Sequence, residues 1–212
     1  GGSRKKREGC EKEVTKGKRK KTRATKSNAV VQALKLWDGQ VTRVVTDEYA
    51  DLELESYYID ALVAYFVQRP QSFEVVVASN LFGDILSDLG SGIVGGLGLS
   101  PSANINPEKE YPSMFEAVHG SAPDIAGKGI ANPIAQIWSA ALMLDHLGRA
   151  DLSTKIIGAI EEVLSEENVK TADIGGNATT KQMGAAIVEK IKNQYATKRT
   201  GALFMKLTDK VI

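Results

Sequence analysis

Apolar and polar positions set out a series of elements from about Asp51 onward. A largely apolar or weakly polar stretch predicts a helix from about Asp51 to Gln68. It should stop before Pro70, because a residue ahead of proline disfavours helical backbone. Phe73–Ala78 reads as a short buried strand. Ser79 or Asn80 then caps a helix through Leu89. Glycines cluster at 90, 92, 95, 96 and 98, where backbones can approach closely at a crossover between domains. Pro101–Pro112 reads as a loop and Met114–Val118 as a short extended segment. Asn132-Pro133 places a capping residue ahead of a proline at the first helical position. The helix it starts should bury Ile134, Ile137, Trp138, Ala141 and Leu142 and end at Gly148. Two further amphipathic helices follow near Ser153–Glu166 and Thr180–Asn193, with a turn at Asp173–Gly176 between them. The pattern is α/β with few strands for its helices, as if part of a sheet were missing.

Composition adds bounds. Of 212 residues, 42% are hydrophobic, enough to bury a core. No apolar run reaches the length of a membrane span, and the charged start lacks an apolar signal region. A single cysteine, Cys10, excludes an internal disulfide framework and fits a cytoplasmic location. The net charge of +1 hides a division: residues 1–26 hold twelve Lys/Arg and three Glu, leaving fifteen Lys/Arg against twenty-three Asp/Glu. Residues 1–21 have almost no apolar side chains to offset the entropy of ordering, so they are expected to be disordered. The segment reads either as a nucleic-acid arm or as a solvated flank or truncation scar. The lack of interleaved aromatics argues against the arm.

Several residues invite a chemical reading beside a plain one. Asp84 and Asp88 lie four apart on one helical face, where like charges repel unless a cation such as Mg²⁺ or Mn²⁺ sits between them. A solvated acidic face gives the same spacing. Asp60 is the only charged side chain between Glu55 and Arg69. It could be a buried carboxylate awaiting a partner or metal, or an acid at a helix edge or subunit contact. Lys26, among Thr25, Ser27 and Asn28, could serve as a general base or be one more surface lysine. His119 and Asp124 bracket a loop of small residues that a dinucleotide backbone could approach, although a lone histidine is commonly structural.

Three stretches carry a resemblance. They are Ala24-Thr25-Lys26-Ser27-Asn28, then Ala78 through Asp88 (ASNLFGDILSD), and Phe115 through Pro133 (FEAVHGSAPDIAGKGIANP). Over roughly residues 22–193 the chain resembles the isocitrate and isopropylmalate dehydrogenase family of metal-dependent decarboxylating dehydrogenases. The link from Pro101 to Glu116 tilts the likeness toward the family's tartrate and D-malate branch, with isopropylmalate dehydrogenase the nearest rival. The resemblance implies an isopropylmalate dehydrogenase-like α/β fold of two domains with its amino-terminal portion missing. After the basic segment 1–21, residues 22–95 would form the small dimer-forming domain and 96–212 the remainder of the large NAD-binding one.

By the same resemblance, Lys26 matches the catalytic lysine, and Asp84, Asp88 and a partner-crossing Asp60 match the aspartates around Mg²⁺ or Mn²⁺, Asp60 counting also among the catalytic residues. Asn28 and Glu116 lie toward the nicotinamide. His119, Gly120, Ser121 and Ala122 line the adenosine side, Asp124 meets the ribose hydroxyls and Asn132 touches adenine. An acid at 124 also repels a 2′-phosphate, favouring NAD over NADP. The implied reaction is NAD-dependent oxidation and decarboxylation of a small 2-hydroxy acid by a homodimer. The family's acid tyrosine precedes the lysine, whereas the first tyrosine here is Tyr49, and the substrate-gripping arginines are absent as well. The expectation is therefore an incomplete enzyme. The alternatives are a non-catalytic remnant that keeps dimerisation and nucleotide or metal binding, or an isopropylmalate dehydrogenase fragment.

Overall fold

The computed structural model of the chain describes residues 19–208, so Cys10 and the basic flank before Arg19 lie outside the described residues. The expectation of disorder through Lys21 fails at its last residues. Strand β1, Lys20–Thr25, is the centre of a three-stranded parallel sheet in the order β2-β1-β3. Lys21 is 1% exposed. So polar a strand gives no apolar alternation to read, and it is held by pairing on both edges and by its neighbours' polar groups. Lys21 is in register with Leu54 on one side and Val75 on the other. Lys20 Nζ lies 2.8 Å from Glu55. The Arg23 guanidinium donates to the Asp38 carbonyl at 2.6 Å, Thr42 Oγ1 at 2.8 Å and Ser56 Oγ at 3.0 Å.

Those Arg23 bonds fasten helix α1, Val31–Glu48, against the sheet. The sequence pattern predicts no element there, and the helix buries no residue completely. Trp37 Nε1 donates to the Ala24 carbonyl at 3.2 Å, and Leu34 packs on the core below.

The predicted helix over Asp51–Gln68 divides in two. Glu53–Tyr58 is strand β2, and only Ile59–Gln68 is helix α2. The front part, ELESYY, alternates side by side with β1, and sheet pairing overrides whatever helical tendency its residues have. The carboxyl end falls where proline requires: the Arg69 N–H bonds the Tyr65 carbonyl and Pro70 follows. Strand β3 is Val75–Val77, inside the predicted stretch, and helix α3 is Asn80–Ile93, longer than expected by its final turn. Ala24, Leu62, Phe82 and Leu86 form this unit's core, with Phe66, Phe73 and Val76 against it.

The chain divides into two compact units. The first holds the described residues up to Ile93 together with 106–112; the second holds 94–105 and the described residues from Ser113. In the second, the expected loop over Pro101–Pro112 begins as a strand. Strand β4, Pro101–Asn104, pairs antiparallel with β5, Met114–Ala117. Proline is tolerated as the first residue of a strand with an open edge. Helices α4 (Ile134–His146), α5 (Ala150–Leu164) and α6 (Thr180–Thr208) complete the unit. Ile134, Ala159, Ile160, Val163, Met183 and Ile187 interlock at the centre, with Ile137 and Trp138 packed on them. Each large aliphatic buried there contributes about 1.5–3 kcal/mol of transfer free energy. No helix among the described residues is long and apolar enough to cross a membrane.

Candidate functional site

In open parallel sheets, ligands bind beyond the carboxyl ends of the strands. The first unit follows that geometry with three adjacent ends. Thr25 and Tyr58, the last residues of β1 and β2, are in register, and β3 lies on the other side of β1. Lys26 is the first residue past β1, Asp60 stands in the first turn of α2, and Asn80 opens α3 two residues after Ala78. The turn at Lys26 is tight. The N–H groups of Ala29 and Val30 both bond the Lys26 carbonyl at 2.9 Å, and the Ser27 N–H bonds Thr25 Oγ1 at 3.3 Å. Asn28 is exposed on this turn.

Lys26 and Asp60 meet. Nζ is 2.7 Å from Oδ1, with the lysine side chain 26% exposed and the aspartate 66% exposed. The Tyr58 ring lies beneath the ammonium, 6.0 Å from Nζ to the ring centroid. Asp60 is therefore not the buried carboxylate of the first alternative but an acid at a helix start with a lysine partner. The Lys26 hydrogen bond and then the backbone N–H groups of the helix start hold its carboxyl below the ordinary aspartate range.

Asp84 and Asp88 project from α3 on the face opposite Phe82 and Leu86, both exposed. Leu81 and Ile85, 65% and 46% exposed, share that face. Among the described residues no three His, Cys, Asp or Glu side chains gather closely enough to hold a metal ion within one chain. The chain thus unites Lys26 with Asp60 and keeps Asp84 with Asp88 along one helix, but it does not bring the two pairs into a single carboxylate cluster.

The other predicted residues lie in the second unit. Glu116 is on β5 with its side chain exposed, and its carbonyl accepts from Ser139 Oγ at 2.7 Å, which ties β5 to α4. His119, Gly120, Ser121 and Asp124 are exposed on the loop that follows. His119 Nδ1 is 2.9 Å from the Gly120 carbonyl, which makes Nδ1 the protonated ring nitrogen in that contact. Ala122 adopts φ = 44°, a left-handed conformation that a non-glycine residue takes at a cost of about 1 kcal/mol. Turn bonds run from the Ile125 N–H to the Ala122 carbonyl and from the Lys128 N–H to the Ile125 carbonyl.

Asn132, at the loop's end, is only 8% exposed, and its side chain is engaged on both sides. Oδ1 accepts the Ile134 N–H at 2.9 Å and so caps α4, and Nδ2 donates to Asp173 Oδ2 at 3.0 Å. Any contact with a base would then fall mainly to its backbone. Asp173, read from the sequence only as part of a turn, had no signal there, because its partners are 2 and 41 residues away. Gly98 gives the glycine cluster a concrete role. A Cβ there would stand 2.7 Å from Asp173 Oδ2 and 2.9 Å from Asn132 Cβ, while at Gly90 and Gly92 nothing lies within 4 Å.

Known proteins were compared with this arrangement. A profile described as isocitrate/isopropylmalate dehydrogenase matches residues 6–187. A probable tartrate dehydrogenase/decarboxylase of Bacillus subtilis is 53% identical over 171 residues, covering 81% of this chain and 48% of its own. The decarboxylating D-malate dehydrogenase of Escherichia coli is 52% identical over 171 residues, covering 78% and 47%. The chain thus spans about half the length of the curated relatives it matches. A crystal structure of isocitrate dehydrogenase from Methylococcus capsulatus superposes with a TM-score of 0.78 at 42% identity, covering 85% of this chain and 53% of that one. Together with the parallel sheet and its lysine–aspartate end, these matches show that the chain belongs to the isocitrate/isopropylmalate dehydrogenase family.

Proposed function

We propose that this chain supplies the lysine, the metal-site aspartates and the dinucleotide loop of an NAD-dependent decarboxylating dehydrogenase for a small 2-hydroxy acid of the tartrate or D-malate type. The observation that carries the reading is the 2.7 Å pairing of Lys26 with Asp60 at the carboxyl edge of the parallel sheet. Asp60 fixes where the Lys26 nitrogen stands, so a substrate hydroxyl presented at this edge meets a proton-transfer group whose position is set in advance.

The donor set suits a hard divalent cation such as Mg²⁺ or Mn²⁺, since all three acids offer carboxylate oxygens. Lys26 and Asp60 are coupled within one chain, and Asp84 and Asp88 face outward beside the apolar Leu81 and Ile85. Both features support a homodimer in which one copy's Lys26–Asp60 pair completes the other's Asp84–Asp88 pair. When bound, NAD would accept the hydride from the hydroxyl carbon and the cation would polarise the resulting carbonyl as CO₂ leaves. Lys26, once the proton it shares with Asp60 has passed to solvent, would take the hydroxyl proton. In the second unit, residues 119–124 would hold the adenosine half, Asp124 receiving the ribose hydroxyls and disfavouring a 2′-phosphate, with Glu116 toward the nicotinamide. The residues to about 95 would be the dimer-forming part and those from 96 the nucleotide-binding part.

The test is a calorimetric titration of the chain with NAD, NADP and Mn²⁺, followed by a search for NADH with D-malate or tartrate. NAD should bind more tightly than NADP. Mn²⁺ should bind to a dimer and be lost in D84N and D88N, with NAD unaffected. Binding without turnover supports the non-catalytic reading, in which the chain keeps its ligands. Failure to bind either ligand would sink the proposal.

A further inference from the structure

We infer that Asp173 and Thr180 are positioning residues for the loop over 119–131, acting through the loop's end; this rests on the reading of that loop as the dinucleotide site. Neither residue belongs to the loop: Asp173 comes from the segment between α5 and α6, and Thr180 is the first residue of α6. Asp173 offers one carboxylate oxygen to Asn132 Nδ2 at 3.0 Å and the other to Thr171 Oγ1 at 2.5 Å. Thr171 is completely buried and anchors that second contact to the helical core through Met183. Asn132 therefore takes its place between a helix start and a carboxylate that is itself fixed from below.

Thr180 secures the preceding residues. Its N–H donates to the Gly129 carbonyl at 2.8 Å, and its hydroxyl donates to the Ala131 carbonyl at 2.5 Å. That hydroxyl is free to do so because α6 is capped by a different side chain. Thr179 Oγ1 accepts the Gln182 N–H at 3.2 Å while Gln182 Oε1 accepts the Thr179 N–H at 2.8 Å, a reciprocal capping box. At and just ahead of the first of these contacts, Gly129 and Gly127 have φ of 67° and 76°. Left-handed glycines fix the path of the chain here, and the contacts from Thr180 and Asp173 hold the loop at its carboxyl end. Positioning a loop this way from outside leaves its exposed face, with His119, Ser121 and Asp124, free for a ligand.

The experiment compares wild-type chain, D173A, D173N and T180V by amide hydrogen exchange and by NAD titration. Asp173 is exposed, so its truncation leaves the hydrophobic core intact. In D173A and T180V, peptides covering 119–131 should exchange about fivefold faster or more, with α5 at its wild-type rate. NAD should bind about two- to fivefold more weakly in each, the range expected for the loss of one exposed or neutral hydrogen bond. D173N should restore most of both, because an amide can still accept from Asn132 while the Thr171 hydroxyl turns to accept from it. Unchanged loop exchange in D173A and T180V overturns the inference. So does exchange that rises equally in α5, which assigns the residues to general stability. If loop exchange rises as expected but the wild-type chain binds no NAD, the positioning role stands and the proposed function falls.

Discussion

Replacing Asn132 separates two bonds that one side chain makes. In N132A, the Ile134 N–H at the start of α4 loses its 2.9 Å acceptor and Asp173 loses its 3.0 Å donor. Loss of an asparagine cap costs about 1 kcal/mol. The bond to Asp173 is charge-assisted, but the carboxylate is exposed, so it is worth about 0.5–1 kcal/mol rather than the value for a buried pair. The total, about 1.5–2 kcal/mol, lowers the melting temperature of the second unit by about 6–9 °C. N132S keeps a capping oxygen and should recover about half of the loss. N132D keeps the cap but sets a second carboxylate against Asp173, so at neutral pH it should be less stable than N132S and should gain on it as the pH falls and one acid is protonated. The chain has two tryptophans, Trp37 on α1 and Trp138 on α4. In a W37F background, Trp138 fluorescence during urea unfolding reports on the second unit alone. If N132A and N132S unfold at the same urea concentration, Oδ1 is not acting as a cap and the reasoning fails.

Three other outcomes follow from the same contacts. Leu62 is fully buried beside Ala24, Phe82 and Leu86, so L62A should lose about 2–5 kcal/mol in the first unit, read from Trp37 in a W138F background; a loss under about 1 kcal/mol would mean the cluster is loosely packed. G98A forces a methyl toward Asp173 and Asn132 and should cost about 1–3 kcal/mol in the second unit, whereas G92A, with open space around it, should not destabilise α3; equal effects would refute the close approach. The Asp60 carboxyl is held below its ordinary value by Lys26, so the pair's contribution is complete above that value and is lost as the pH falls through the lowered one. The Asp60 titration followed by NMR should shift upward in K26M, and an unchanged titration would show the pair to be absent in solution.

The sequence told most where local chemistry decides structure. Pro70 ended α2, Asn132-Pro133 began α4, and the apolar spacing of Ile134, Ile137, Trp138 and Ala141 marked the face that packs. It told least where partners are distant. KKTRAT has no strand period, and its burial follows from pairing with two strands that lie about 30 and 54 residues further on. The same blindness split the predicted helix over Asp51–Gln68, because ELESYY becomes a strand only beside β1. Among the site residues, the four-residue spacing of Asp84 and Asp88 was visible at once. The ion pair of Lys26 with Asp60 was not, since it depends on two parallel strands ending in register. Asp173 carried no signal for the same reason.

That register bears on the proposed dimer. Parallel strands deliver the residues after β1 and β2 to one edge, so Lys26 and Asp60 reach each other with no long loop between them. Helix α3 starts at the same edge but spends its inward face on Phe82 and Leu86, which turns Asp84 and Asp88 outward. An inward turn of either aspartate would require a rotation that exposes the two largest apolar side chains of the helix's buried face, at about 1.5–3 kcal/mol each. The core thus opposes a metal cluster completed within one chain. A second copy meets no such obstacle, because its Lys26–Asp60 pair can approach the outward face while Leu81 and Ile85 are covered in the same contact. On this argument, metal affinity and dimerisation are linked: raising Mn²⁺ should tighten the dimer, and a charge at position 85 should weaken both together. Sedimentation of wild-type and I85K chains across a Mn²⁺ series measures that linkage, and Mn²⁺ affinity unaltered in a monomeric I85K would break it.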